Sequence, residues 1–196
     1  YEVVRLLGKG GMGAVYEARH LELNKRVAIK TLLPAMAAHP EARARFLREG
    51  EAASRLQHPH VVDVTDVGEH EGMPYLVMEY LDGESLGDRI QRGGRLSVED
   101  TVDVMIPVIA AVGAAHVEGV IHRDLKPSNI FLERNRMGET VPKVLDFGVS
   151  KLVTGSSEAL TGTAAVLGTA SYMSPEQAAG AKHIGPASDL YAAGLF

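Results

Sequence analysis

The chain has 196 residues, 45% hydrophobic and 23% charged, enough to bury one good core or two small lobes. A formal net charge of −5 gives no basis for general affinity to nucleic acid or acidic membranes. The lack of cysteine excludes disulfides, thiolate metal sites and a cysteine nucleophile, and fits a reducing compartment. No apolar run reads as a membrane span and no signal peptide is evident. Both ends read as cuts in a longer protein: Tyr1 leads straight into a strand-like stretch, and Phe196 falls inside "SDLYAAGLF" with no helix stop signal.

Glu2 to Leu7 is a short β run, and "AVYEAR" alternates, with Val15, Glu17 and Arg19 against Tyr16 and Ala18. "RVAIKTL", Arg26 to Leu32, is a further β run beside Asn24-Lys25. Gly8, Gly10 and Gly13 form G-x-G-x-x-G between two strands, as in a hairpin. A dinucleotide-binding turn would have to open a helix, and a P-loop would have to end in Gly-Lys-Ser/Thr. Here Gly13 is followed by Ala14-Val15, so both are excluded, leaving a flap over phosphates or a plain Gly-rich turn.

Pro40 starts a helix expected to end near Gln57, with Phe46, Glu49, Ala53 and Leu56 on one face. The Glu49 carboxylate on an apolar stripe needs a partner, or an edge position that reaches water. Gly50 weakens this helix by about 1 kcal/mol relative to alanine, which would suit a helix that swings or softens in regulation. Two strand runs follow, "HVVDVTDVGEH" and "PYLVMEYL", and Asp82-Gly83 breaks the pattern before a short helix from Ser85. A long helix from Ser97 to about Val117 starts with a capping-box-like Ser97-x-x-Asp100. Its predicted stripe is Val98, Val102, Met105, Ile109 and Val112, with a kink at Pro107. "IFLE" and "PKVLDF" are short β runs around a Met137-Gly138 turn, and residues 150–169 are rich in Ser, Thr and Gly.

The chemistry concentrates after the long helix. "VIHRDLKPSNIFLE" carries His122, Arg123, Asp124, Lys126 and Asn129 in one short loop, and "VLDFGVS" puts Asp146 at a strand end. Asp146 and Asn129 are oxygen donors suited to a hard cation that is shared with phosphates. Asp124 could accept a proton from an attacking hydroxyl, and Lys126 could neutralise a moving phosphoryl group. Taken singly, Asp124 could equally cap a turn and Lys126 could be solvated.

The order "GKGGMGAV", "VAIK", a helix bearing Glu49, "HRDLKPSN", "DFG", "SPE" and "SDLYAAG" resembles the protein kinase family, over essentially the whole chain. The Ala-, Val- and Gly-rich texture is similar to the bacterial, eukaryotic-like Ser/Thr kinases. The resemblance implies an α+β bilobal fold. Its N-lobe, residues 1–81 including the hinge, is mostly antiparallel β plus one long helix, and its helical C-lobe, residues 82–196, is incomplete. It implies ATP with Mg²⁺, or alternatively Mn²⁺. The ATP phosphates would lie under Gly8, Gly10 and Gly13 and against Lys30, which pairs with Glu49; Glu51 falls off the Phe46 stripe. Adenine would sit against Val15, Ala28 and Phe131, with backbone groups of Glu79 and Leu81 in the hinge "MEYLDG" and Met78 behind.

Asn129 and Asp146 would hold the metal, Asp124 would act as base and Lys126 would stabilise the γ-phosphate. Lys126 and "GTASYMSPE" resemble the Ser/Thr class, with Thr169 packing near Asp124 and Lys126. Arg123, with Lys151, would receive a phosphate placed on Thr161 or Thr163, ahead of Thr154, Ser156 and Ser157. The implied partners are protein substrates bearing Ser or Thr and a kinase homodimer for autophosphorylation. The domain would be cytoplasmic, whether or not a parent protein is anchored in a membrane. "SPE" departs slightly from the usual "APE". Because helices that follow in the family are missing, Glu176 would lack its arginine and Leu190, Ala193 and Phe196 would be exposed. Asp189, which would brace the catalytic loop from below, sits on a helix cut short. For so short a chain the alternative is a nucleotide-binding, pseudokinase-like module with little turnover.

Overall fold

The computed structural model describes residues 1–10, 13–147, 171–181 and 183–196. Packing divides these into two units, Tyr1–Gln57 with Val62–Asp82, and His58–Val61 with Gly83–Phe196. The sequence suggests a divide after Leu81, but His58–Val61 belongs with the second unit. There the Val144 N–H donates to the His60 carbonyl at 2.8 Å, His60 Nδ1 donates to the Pro142 carbonyl at 2.8 Å, and Val61 bridges Val144 in parallel.

The first unit is an antiparallel sheet of five strands in the order β1-β2-β3-β5-β4. The strands are β1 (Glu2–Lys9), β2 (Gly13–His20), β3 (Lys25–Leu32), β4 (Val64–His70) and β5 (Met73–Glu79). Asn24 takes the left-handed conformation that closes the β2–β3 turn, at φ 49°. The two-residue period of a strand sorts the side chains. Ala18, Val27, Ile29 and Val77 cluster on one face with Tyr75. The register Val15↔Lys30↔Leu76 and Ala28↔Met78 puts Val15, Ala28, Lys30, Leu76 and Met78 together on the other.

Helices α1 (Pro34–Ala37) and α2 (Pro40–Ser54) complete this unit. The sequence reading missed α1, a single turn opened by Pro34 at its first position. α2 ends three residues short of Gln57, with Arg55 as its C-cap, yet Leu56 just beyond is buried as the stripe predicts. Gly50 also has a packing role. It is buried, and a Cβ there would overlap the Leu76 side chain, so glycine is what lets α2 lie close on β5.

The second unit opens with β6 (Gly83–Ser85), α3 (Leu86–Gly93) and α4 (Val98–Val117). It continues with a 3₁₀ turn (Pro127–Asn129), β7 (Ile130–Arg134), β8 (Thr140–Val144), α5 (Pro175–Ala178) and α6 (Ala187–Ala193). β6, β7 and β8 form an antiparallel sheet. β6 stands where the sequence pattern suggests a break at Asp82-Gly83. Gly83, at φ 150°, lies so near the Leu132 carbonyl that no side chain fits, and the strand forms around that approach. Ser85 and Ser97 cap α3 and α4, accepting from the Asp88 and Asp100 N–H groups at 3.0 Å each.

α4 corrects the predicted stripe. Its buried residues are Val104, Met105, Val108, Ala111, Val112 and Ala115, while Val98, Val102 and Ile109 are exposed. The helix is apolar nearly all round, so periodicity alone does not choose a face. The small Ala111 and Ala115 permit close packing, and α4 meets β8 and α6. The helix continues through Pro107. By length and composition α4 is also apolar enough to cross a membrane, contrary to the sequence reading. In this fold Val108, Ala111 and Ala115 are fully buried within the second unit.

Candidate active site

The loop from α4 to β7 is organised around a buried carboxylate. α4 is capped by Glu118, Gly119 at φ 74° turns the chain, and His122, Asp124 and Leu125 follow as buried residues. Asp189, on α6 and 1% exposed, takes the His122 N–H on Oδ2 and the Arg123 N–H on Oδ1, both at 2.8 Å. His116 in the last turn of α4 donates from Nε2 to the same Oδ2 at 2.7 Å. The brace expected of Asp189 is therefore present, and His116 is a member that the sequence reading missed. A histidine in a helix's last turn is an ordinary cap, and nothing local reveals a partner 73 residues away.

Asp124 Oδ2 accepts from Lys126 Nζ at 2.7 Å. Asn129 Nδ2 donates to the Asp124 carbonyl at 2.8 Å and to Oδ2 at 3.2 Å. These bonds fold residues 124–129 onto one carboxylate. They also orient the Asn129 amide, since a carbonyl can only accept, so its Oδ1 is the atom suited to a hard cation. Asp146 follows β8 in a left-handed conformation at φ 55°. Its neighbour Phe147 is buried against the His122 ring, with centroids 4.9 Å apart.

The two partners of His122 fix its tautomer. Nε2 must carry the proton it donates to the Leu145 carbonyl at 2.8 Å, and Nδ1 must be bare to accept the Asp124 N–H at 3.2 Å. Burial pushes the imidazole pKa below its ordinary value, against the opposing pull of the Asp189, Asp124 and Asp146 charges. The folded state thus resists a proton that the unfolded chain accepts. The contribution of His122 to stability is complete above the ordinary imidazole range and declines as pH falls through about 6.5 and below. His122→Gln is expected to flatten that slope, measured as melting temperature against pH between about 7.5 and 5.5.

In the first unit Gly10 N–H donates to the Gly13 carbonyl at 2.9 Å, closing the turn between β1 and β2. Gly13 has no room for a Cβ beside the Thr31 carbonyl. A Cβ at Gly8 or Gly10 would meet nothing, so among the described residues no packing demand explains those two glycines. Lys30 is buried and Ala28 beside it is buried, while Val15 is half-buried. Glu49 precedes Gly50, the residue pressed onto Leu76, and Leu76 is the register partner of Lys30; Glu51 faces out. The Glu79 N–H donates to the Asp63 carbonyl at 3.0 Å, and its Oε1 accepts the Asp63 N–H at 2.9 Å. Leu81 is half-buried after β5.

In the second unit Phe131 is half-buried in β7. Glu176 accepts a hydrogen bond from Ser188 Oγ where the sequence reading looked for an arginine, and this bond draws its carboxyl pKa down. Leu190 is exposed as expected, but Ala193 is half-buried, and the Phe196 ring packs 5.6 Å from Tyr172. Thr161, Thr163, Lys151, Thr154, Ser156, Ser157, Thr169 and the glycine of "DFG" lie outside the described residues. Among the described residues no three His, Asp or Glu side chains gather as a metal cage. A cation held by Asn129 and Asp146 would complete its shell with phosphate and water, which suits Mg²⁺ chemistry.

The family model described as protein kinase domain matches residues 1–196. A probable serine/threonine-protein kinase of Streptomyces coelicolor is 43% identical over 99% of this chain and 29% of its own length. Serine/threonine-protein kinase pkn3 of Myxococcus xanthus is 44% identical, over 100% of this chain and 36% of its own. PknB of Mycobacterium tuberculosis is 40% identical, over 99% and 31%. The chain thus spans about a third of the length of these relatives. The crystal structure of the M. tuberculosis PknI kinase domain matches with a TM-score of 0.75 at 35% identity, covering 97% of this chain and 68% of that one. With the sheet unit, the helical unit and the Asp124 loop in place, the chain belongs to the protein kinase family, among its bacterial, eukaryotic-like serine/threonine members.

Proposed function

We propose that this chain transfers the γ-phosphoryl group of ATP to Ser or Thr hydroxyls of proteins. The observation that carries this reading is the Asp124 carboxylate, buried, ion-paired to Lys126 at 2.7 Å and tied to Asn129, on a loop clamped by Asp189. Such a group can orient an acceptor hydroxyl and take its proton as the new O–P bond forms and the bond to ADP breaks. Lys126, already beside Asp124, is placed to follow charge on the moving phosphoryl group. Asn129 and Asp146 would hold a divalent cation, Mg²⁺ or Mn²⁺, which supplies charge neutralisation when bound.

The first unit's share is handling the nucleotide: Gly8, Gly10 and Gly13 over phosphates, Lys30, paired with Glu49, on phosphate oxygens, and Val15, Ala28, Glu79 and Leu81 at the base. Arg123 favours control by phosphorylation of Thr161 or Thr163. Its Nε is buried with no hydrogen-bond partner among the described residues, a donor suited to phosphate. A second copy of the chain would be the natural catalyst of that transfer, with ATP as the phosphoryl donor and ADP as the leaving group.

Incubation of the complete gene product with ATP and Mg²⁺ or Mn²⁺, followed by intact-mass spectrometry, should show added phosphate that maps to Ser and Thr. Nucleotide binding with no transfer to the protein or to Ser/Thr peptides would replace this reading with a pseudokinase-like module.

A further inference from the structure

Arg123 is a non-glycine residue at φ 64°, a conformation that costs energy and persists only where neighbours over-determine it. Its N–H is held by Asp189 Oδ1 at 2.8 Å. Its C=O accepts from Gln177 Nε2 at 2.7 Å. The two ends of one strained residue are thus gripped by side chains from two different helices, α6 and α5.

Gln177 does a second thing with the same amide. Its Oε1 accepts the Ser174 N–H at 3.1 Å, while Ser174 Oγ accepts the Gln177 N–H at 3.4 Å, a reciprocal cap on α5. Both partners of the amide are backbone groups of fixed polarity, so the oxygen must face Ser174 and the nitrogen must face Arg123. The fully buried Ser174 hydroxyl then donates to Ser188 Oγ at 2.9 Å, and Ser188 donates to Glu176. Ser188 adjoins Asp189 in α6, so the hydrogen bonds that run from Gln177 through Ser174 reach the residue next to the second grip on Arg123.

We propose that Gln177 is a positioning residue for phosphotransfer: its side-chain N–H₂ holds the Arg123 carbonyl and thereby fixes the peptide that carries Asp124, while its oxygen caps α5. The consequence for catalysis rests on the kinase reading above; the clamp itself does not. Any movement of α5 is passed to the base through this amide.

Gln177→Glu separates the two tasks. Glutamate still accepts from Ser174, as in a Ser-x-x-Glu capping box, but presents an acceptor to the Arg123 carbonyl. In the complete gene product, kcat for a Ser/Thr peptide should fall ~10- to 100-fold, with KM for ATP and melting temperature little changed. Gln177→Ala should lose both kcat and thermal stability. A protonated glutamate can donate again, so the ratio of Gln177→Glu to wild-type kcat should climb as pH is lowered from about 8 to about 5.5. Hydrogen exchange at the Arg123 and Asp124 amides should quicken in both variants. Unchanged exchange in Gln177→Glu overturns the clamp, and quickened exchange with wild-type kcat overturns its role in phosphotransfer. If wild-type protein transfers no phosphate, the kinase reading fails and exchange alone decides the clamp.

Discussion

Asp124→Asn is expected to lower phosphotransfer by about 10³-fold while the melting temperature stays close to that of the wild type. The substitution preserves shape. The Asp124 carbonyl keeps its bond from Asn129, because that acceptor is backbone. What disappears is a carboxylate 2.7 Å from Lys126 and 3.2 Å from Asn129 Nδ2. Lys126, 20% exposed, can turn its ammonium to water, and the buried negative charge is gone, so stability moves little. An amide cannot take a proton from a hydroxyl and does not attract the developing positive charge. Steady-state kinetics beside a thermal melt checks both halves. Near-wild-type turnover would remove Asp124 from the chemistry, and a large drop in melting temperature would make its role structural.

Asp189→Ala should have the largest structural effect, about 3–5 kcal/mol from the second unit, with loss of turnover as a consequence. The substitution leaves three donors, the N–H groups of His122 and Arg123 and Nε2 of His116, facing a cavity where a carboxylate 1% exposed stood. It also frees the N–H end of Arg123, so its positive φ is held by Gln177 alone. Asp189→Asn tests the same idea with volume kept. Whichever way the amide turns, its nitrogen meets an N–H donor, so part of the loss should remain. Thermal or urea unfolding of both variants measures it. Asparagine matching wild type would mean that volume, and not acceptor count, is what the site needs.

How much of the site could be read from the chain differs residue by residue. Asp124, Lys126 and Asn129 are five residues apart at most, and a local turn was enough to bring them together, so their grouping was legible. Glu49 on the Phe46 stripe was legible because α2 has a clear polar side, with Glu51 exposed. α4 was not, because its stripe is lost in a helix that is apolar nearly all round. The contact of Gly50 with Leu76 was not legible, because a propensity scale sees the helix and not Leu76 lying on it.

His116, Ser188 and Gln177 carry no local sign of the long-range bonds they make. Their partners lie 73, 14 and 54 residues away. Strand alternation, serine caps and the order of short polar motifs are set by neighbours a few residues apart, and these the amino-acid sequence determined by itself. Which face of α4 is buried, the tautomer of His122 and the double grip on Arg123 depend on which donors and acceptors long-range packing brings within 3 Å. Those the tertiary structure alone decided, because a buried polar group takes its partner from whatever the fold places beside it.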